Sequence, residues 1–356
     1  MRSAPADVDE AVRSAHSWFE HNSGWAPPDE ETLAEWVADG VCRCPDECLV
    51  EPEGWCEHGL ASWWLILRAI DEKVVLDHFG IGTGALLGEG GEARVFALDA
   101  ERVVRIPHAQ TSTDALEARR QLLDVLAGTG VVALPEVLEH RTVGGRLIAV
   151  ERRLPGRDAL RLLGDGCSDR AALVRHHLDV AASVAALPCP TNRFGELWGA
   201  SAITSDQFGS WAVARLETSL QLAGSRFAHV DATALTDGLC TVLSTPEPTS
   251  PVLVHLDAYL GNMLADGDRI TALLDFGAMA IAGPPDLDPL AAVAYLAPEI
   301  TPTANDADRT VARAWASEQG LLDALAPTER WLAAYWTFAT GDLELQRWCA
   351  RILGAT

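Results

Sequence analysis

The chain has 356 residues, 48% of them hydrophobic, which is more than a usual single domain holds and enough for more than one core. Acids outnumber bases 51 to 27, for a formal charge of −24; nucleic acid is an unexpected partner, because its phosphates need Lys and Arg to neutralise them. No run of 18 apolar residues is present and the first residues lack a basic-then-apolar pattern, so neither a membrane span nor a signal peptide is expected.

Residues 1–70 read as a small acidic module. Apolar periodicity predicts helices over Val8 to His21 and Asp29 to Ala38, and a third over Gly59 to Ile70 carrying Trp63, Trp64, Leu65 and Leu67. Between them, Cys42, Cys44, Cys48, Cys56 and His58 fall within 17 positions, half of the chain's eight cysteines. Such clustering favours one structural zinc held by Cys44, Cys48, Cys56 and His58, with Cys42 as the alternative to one of them. Reduced buried thiols and a redox pair are the competing readings. A short module buries little core, which is a physical reason for a metal staple. Through Gly80 there are 17 acidic and five basic residues, so the partner expected for this segment is a protein surface or the rest of the chain.

Leu86 to Leu98 is a glycine-rich turn between two apolar strands, and Gly88, Gly90 and Gly91 allow backbone N–H groups to approach phosphates. Arg102 to Pro107 alternates so that Arg105 opposes Val104 and Ile106 across the strand. A helix is predicted from Thr111 to Leu126, with Leu116, Leu122, Leu123 and Leu126 as its stripe. Gly144-Gly145 marks a hairpin leading into Leu147 to Gly156, a strand and the segment that leaves it. From Arg157 onward the pattern is helical over Ala171 to Leu187, Ser210 to Ala223, Ala232 to Leu243, Leu287 to Leu296, Asp306 to Glu318 and Thr328 to Cys349.

One stretch interrupts the helices and carries chemistry. The apolar run Pro251 to Val254 ends at His255-Leu256-Asp257, with Asn262 five residues beyond the aspartate. A second run, Ile270 to Leu274, ends at Asp275-Phe276-Gly277, and Asp266-Gly267-Asp268 between the runs is turn chemistry. An isolated H-x-D or D-F-G is chance; both, in order and flanking a strand-turn-strand, describe a phosphoryl-transfer centre. Such a centre needs a carboxylate to orient the attacking hydroxyl and oxygen ligands for metal on the nucleotide, and Asp257, Asn262 and Asp275 match those roles. Asp286 and Asp288 are expected to cap the next helix and brace the loop, Asp288 by a bond to His255.

With these motifs the chain, from about residue 80 to its last residue, resembles the aminoglycoside phosphotransferase and choline-kinase-like small-molecule kinases, whose signature is H-G-D-x-x-x-x-N followed by D-F-G or D-W-G. Leu256 stands where that signature has glycine. The resemblance implies an α+β, two-lobed protein-kinase-like fold: a small antiparallel β lobe and hinge over 71–156 and a helical lobe over 157–356. It implies ATP as donor, with GTP as alternative, Mg²⁺ as cofactor, a hydroxyl of a small molecule such as an aminoglycoside-like antibiotic as acceptor, and a cytoplasmic setting. It assigns Arg105 to the nucleotide phosphates in place of the usual lysine, since the chain's only lysine is Lys73, and Glu117 to orienting Arg105. Val150 and Arg152 fall on the strand entering the hinge, whose backbone would bind adenine. A catalytically silent nucleotide-binding protein, or a zinc-bearing adaptor, is the alternative.

Overall fold

The computed structural model describes residues 8–22, 27–90, 93–108, 113–166, 169–199, 202–243, 250–277 and 279–354, which form two compact units: 1–111 with 138–153, and 112–137 with 154–356.

The first unit begins with α1 (Val8–Phe19) and α2 (Glu30–Ala38), the latter capped by Asp29, whose carboxylate accepts from Thr32 N at 2.8 Å. A short hairpin follows, β1 (Cys42–Arg43) with β2 (Leu49–Val50), and then α3 (Trp63–Phe79). The third helix differs from its expected span at both ends. It starts at Trp63 because the chain from Trp55 to Ala61 closes as a second tight hairpin and Ser62 Oγ caps Leu65 N. It runs on to Phe79 because its second half buries Val75 and Leu76 against a sheet before Gly80 stops it in the left-handed conformation. The boundary expected at 70/71 therefore falls inside α3.

That sheet has the order β3-β4-β5-β7-β6, built from β3 (Leu86–Glu89), β4 (Ala93–Ala97), β5 (Arg102–Pro107), β6 (Val137–Val143) and β7 (Arg146–Arg152). Gly144 and Gly145 both take positive φ (58° and 83°), as a two-residue hairpin turn with the right twist requires. One face of the sheet packs Phe96, Val104, Ile106, Ile148 and Val150 under α3. A second apolar cluster, with Ala11, Ala15, Cys42, Ala61, Trp63, Leu65 and Ile66, surrounds the first half of the same helix. Helix α3 thus serves the acidic module and the sheet together.

The second unit holds α4 (Thr113–Leu126), β8 (Arg157–Asp158), α5 (Ala159–Asp165) and α6 (Arg170–Ser183). Then come β9 (Phe194–Glu196), β10 (Thr204–Ser205), α7 (Phe208–Leu222) and α8 (Ala232–Val242). Strands β11 (Val252–Val254), β12 (Met263–Asp266), β13 (Arg269–Leu273) and β14 (Ile281–Gly283) precede α9 (Leu287–Ala294), α10 (Asp306–Glu318), α11 (Leu325–Tyr335) and α12 (Leu343–Leu353). The sheets are β13-β12-β8 and β10-β9-β14-β11. The single helix expected over Thr328 to Cys349 is two, because the Gly341-Asp342 step restarts the chain with Asp342 capping Leu345 N at 3.0 Å. Trp211, Trp331, Trp348 and Tyr335 are fully buried among these helices.

Candidate active site

Strand β11 delivers His255 to a turn that the next residue makes with an unusual backbone. Leu256 has φ 64°, a left-handed conformation costing a branched residue about 1–2 kcal/mol. Glycine adopts it freely. Two groups hold it here. The Asp288 carboxylate, at the start of α9, accepts His255 N through Oδ2 and Leu256 N through Oδ1, both at 2.7 Å. The Tyr295 hydroxyl donates to Leu256 O at 2.8 Å and itself accepts from Trp336 Nε1 at 2.7 Å. Leu256 is fully buried, so its side chain offsets part of the backbone cost. The expected bracing role of Asp288 is what the geometry contains. Asp286 sits at the N-cap of α9 without a capping hydrogen bond from its side chain, so the capping expectation does not hold there.

Burial pushes the Asp288 carboxyl up to about 7, against the pull of its two amide donors. Burial moves His255 the other way, below its ordinary value. The ring has one sensible tautomer: Nε2 donates to Leu274 O at 2.7 Å, and Nδ1 accepts from Asp257 N at 3.3 Å. It also meets Phe276 edge-on at 4.6 Å between ring centroids. His255 therefore ties the turn before Asp257 to the segment that carries Asp275.

Strands β12 and β13 bring the other side chains to the same end. Met263 pairs with Leu273, and Leu274 N donates to Asn262 O at 2.8 Å, so Asp275 is one residue beyond the partner of Asn262. Asn262 Nδ2 donates to Asp257 O and to Asp257 Oδ2, each at 2.9 Å. Its amide nitrogen is committed to the aspartate, and the atom left for a cation is Oδ1. Asp275 has φ 58°, a second non-glycine residue held left-handed in this site. Gly261 lies under Tyr259; a Cβ there would stand 2.4 Å from the Tyr259 hydroxyl oxygen, so the loop is closed on itself.

Two further residues hold this constellation from α4 and α6. Arg119 is buried and donates through Nε to Phe276 O at 3.1 Å. His177 is buried and donates through Nε2 to Ala258 O at 2.9 Å, with burial pushing its pKa down to about 4. Neither was singled out from sequence. Each had a signal, a titratable residue on the apolar stripe of its helix, beside Leu116, Leu122 and Leu123 in one case and Leu173, Val174 and Leu178 in the other.

The residues assigned to nucleotide lie mostly in the first unit. Gly88 is in β3 and Gly90 just after it; neither has positive φ, and a Cβ at either would meet nothing within 4 Å, so the chain itself does not demand glycine there. Gly91 lies outside the described residues. Arg105 is on β5, on the face opposite Val104 and Ile106, as its alternation predicts. Val150 lies on β7, the strand that leads toward the hinge. Its side chain belongs to the apolar core and its backbone lies opposite Val104 inside the sheet, so the side chain is committed to packing. Arg152, opposite Arg102 at the end of β7, is exposed. Glu117, in the second unit, shares its carboxylate with Arg120 Nε (2.9 Å) and Nη2 (2.8 Å) on its own helix.

The first unit contains a buried ion pair that the sequence did not reveal: Arg94 Nη1 on β4 lies 2.6 Å from Glu72 Oε1 on α3, with both side chains under 10% exposed. Arg94 also stacks its guanidinium over Phe96, 5.3 Å from the ring centroid.

In the N-terminal module the Sγ atoms of Cys44, Cys48 and Cys56 lie within 4.8 Å of one another, and His58 Nδ1 is 3.5 Å from Cys48 Sγ. Cys42 does not join them. It is fully buried in the apolar cluster with Ala61 and Trp63, so the alternative ligand of the sequence reading is a core residue.

Comparisons place this geometry. None of the curated proteins matches the chain in sequence. Solved structures of the same fold include aminoglycoside 2'-phosphotransferase-IIIa in a GDP complex, at TM-score 0.53 and 17% identity, covering 81% of this chain and 97% of that one. Another is a thermostable mutant of aminoglycoside phosphotransferase APH(4)-Ia in ternary complex with AMP-PNP and hygromycin B, at TM-score 0.55 and 21% identity, covering 80% and 97%. The fold is that of the kinase-like phosphotransferases, α+β with antiparallel sheets and a helical unit. The model of the phosphotransferase enzyme family matches residues 83–327, and the chain belongs to that family.

Proposed function

We propose that the chain transfers the γ-phosphoryl group of ATP, with GTP as the alternative donor, to a hydroxyl of a small molecule. The observation that carries this reading is the pairing of Asn262 Nδ2 with both the backbone and the carboxylate of Asp257 at 2.9 Å, in a turn whose shape Asp288 and Tyr295 impose. That pairing fixes the Asp257 carboxylate for an incoming hydroxyl and does not use Asn262 Oδ1. The hydroxyl oxygen forms the new bond to the γ-phosphorus, the bond from phosphorus to the β-phosphate oxygen breaks, and the hydroxyl proton goes to Asp257. Asn262 Oδ1 and the Asp275 carboxylate form a hard, oxygen-only donor pair that fits Mg²⁺. Mg²⁺ would supply neutralisation of phosphate charge.

On the nucleotide side, open space at Gly88 and Gly90 favours close backbone approach of phosphates, and Arg105 is the basic residue proposed to meet them, its fork replacing a lysine's point charge. Arg152 and the backbone beyond it take the hinge role. A cationic acceptor of the aminoglycoside kind, such as the kanamycin and hygromycin B held in two structures of the same fold, suits a chain of charge −24 by steering. An antibiotic-modifying role rests on that acceptor class. Among the described residues no helix is long and apolar enough to cross a membrane; a nucleotide donor, Mg²⁺ and free thiols suit the cytoplasm. The N-terminal thiols take no part in the transfer.

The test is ATP turnover by purified full-length protein with Mg²⁺, alone and with a panel of aminoglycosides, macrolides, nucleosides, sugars and amino alcohols, with mass analysis for an added phosphoryl group. One acceptor phosphorylated at a hydroxyl is the expected result. Nucleotide binding without turnover on any acceptor would sink the reading in favour of a silent nucleotide-binding protein.

A further inference from the structure

We infer that Cys44, Cys48, Cys56 and His58 bind a single Zn²⁺ that joins two matching hairpins beside the start of α3. The hairpins are built alike. In the first, Cys44 N donates to Cys48 O at 3.1 Å and Glu47 N to Cys44 O at 3.0 Å; in the second, Cys56 N donates to Leu60 O at 2.8 Å and Gly59 N to Cys56 O at 3.0 Å. The residue before each leading cysteine is strand-paired, Arg43 with Leu49 and Trp55 with Ala61. The fourth residue of each turn is left-handed, Glu47 at φ 61° and Gly59 at φ 75°. This is a three-residue hairpin loop with a type I turn and a bulge, made twice, with cysteine at the same first position.

The two turns bring three sulfurs together, with His58 beside one of them. A tetrahedral zinc with bonds of about 2.3 Å to sulfur and 2.0 Å to nitrogen spaces its sulfurs about 3.8 Å apart and a sulfur and a nitrogen about 3.5 Å apart. The three Sγ atoms lie within 4.8 Å of one another, and His58, grouped with Asp46 and Cys48, has Nδ1 3.5 Å from Cys48 Sγ, so the fourth ligand is completed by a swing of the His58 side chain toward the three sulfurs. His58 Nδ1 also meets Asp46 Oδ2 at 2.8 Å, a contact the imidazole would exchange for the metal. Thiolates with imidazole are a soft donor set that selects zinc over Mg²⁺ or Ca²⁺. Four protein ligands leave no open coordination position, which makes the site structural.

Its mechanical consequence follows from position. Ser62, directly after the second hairpin, donates its N–H to Gly54 O and accepts from Leu65 N through Oγ, so the hairpins set where α3 begins. The far half of that helix supplies Val75 and Leu76 to the sheet core and Glu72 to Arg94. Zinc would thus steady the helix on which the sheet packs.

The measurement is metal analysis of the full chain purified without added zinc, followed by exchange with Co²⁺. About one zinc per chain is expected, and the cobalt form should show the intense thiolate charge-transfer and tetrahedral d–d absorption of three sulfurs and one nitrogen. Cys56→Ser should lose most of the metal, whereas Cys42→Ala, which alters only the core, should keep it. Metal-free protein whose thiols at 44, 48 and 56 react freely, a disulfide between any two of them, or an octahedral cobalt spectrum would overturn the site. None of these readouts depends on phosphoryl transfer, so the two proposals fail separately.

Discussion

The catalytic turn and the first thiol hairpin each place a non-glycine residue left-handed, Leu256 at φ 64° and Glu47 at φ 61°, but they are held by different means. Leu256 is fully buried and gripped from other elements, by Asp288 on α9 and by the Tyr295 hydroxyl. Glu47 is exposed, and its turn closes on its own backbone through Glu47 N to Cys44 O and Cys44 N to Cys48 O. The lesson is that a strained backbone angle carries a different meaning at each site. At Leu256 the surrounding fold specifies the geometry of the proposed catalytic loop; at Glu47 the local turn specifies the placement of a proposed zinc ligand.

The comparison can be broken most severely at the loop itself. Asp257→Ala should lower single-turnover phosphoryl transfer by about 10²–10⁴-fold, the usual worth of a positioned base, with nucleotide affinity largely kept. Equal turnover by the variant would remove Asp257 from the chemistry. Next in size is Asp288→Ala, which leaves His255 N and Leu256 N buried without an acceptor, at about 1–3 kcal/mol for each. Urea unfolding should register that loss, and the loop it distorts should transfer more slowly. A variant as stable and as active as the parent would show that Leu256 needs no outside grip.

Acid should act on the loop through His177. Its folded pKa of about 4 lies below the ordinary 6.5, so the unfolded chain binds a proton that the folded chain refuses between those values. The contribution is fully present above pH 6.5 and is lost as pH falls toward 4, on the order of 3 kcal/mol. Asp288, raised from 3.8 to about 7, works in the opposite sense over much of that window, its contribution declining as pH rises. The clean measurement is therefore the difference between parent and His177→Gln, which retains a donor toward Ala258 O and leaves Asp288 in both. That difference should shrink as pH falls; a difference that does not change with pH would contradict a neutral buried His177.

The smallest effect sharpens the contrast most. Glu47→Gly should stabilise the chain by about 0.5–1 kcal/mol, since relief of the left-handed cost outweighs the added freedom of the unfolded chain. Leu256→Gly should destabilise it by about 1–3 kcal/mol, because a buried leucine is lost for the same backbone relief. Thermal or urea midpoints of the two variants should move in opposite directions, and movement in the same direction would refute the distinction.

Much of this architecture was legible in the order of residues. The span of α10 was read as Asp306 to Glu318 from its apolar periodicity, and β11 and β13 followed from the two short apolar runs on either side of Asp266-Gly267-Asp268, though the intervening β12 was not singled out. Local patterns suffice when every determinant lies within a few residues. The α3 helix running past Ile70 and the break after Tyr335 were not legible, since the first depends on burial of Val75 and Leu76 against strands far along the chain and the second on a cap at Asp342 within an apolar run.

The division at the site has the same cause. Sequence alone determined which acids and amide stand at the ends of β11 and β13, and that five zinc-type ligands crowd one short segment, because spacing along a chain is local information. Only the tertiary structure decided that Cys42 turns into the core while Cys44, Cys48 and Cys56 meet, that Glu72 reaches Arg94, and that His177, Arg119, Tyr295 and Asp288 converge on one loop. Apart from the three thiols, which two neighbouring turns bring together, those contacts join residues tens to more than a hundred positions apart. Their partners are chosen by which buried polar groups need satisfying once the helices pack, and no local pattern encodes that choice.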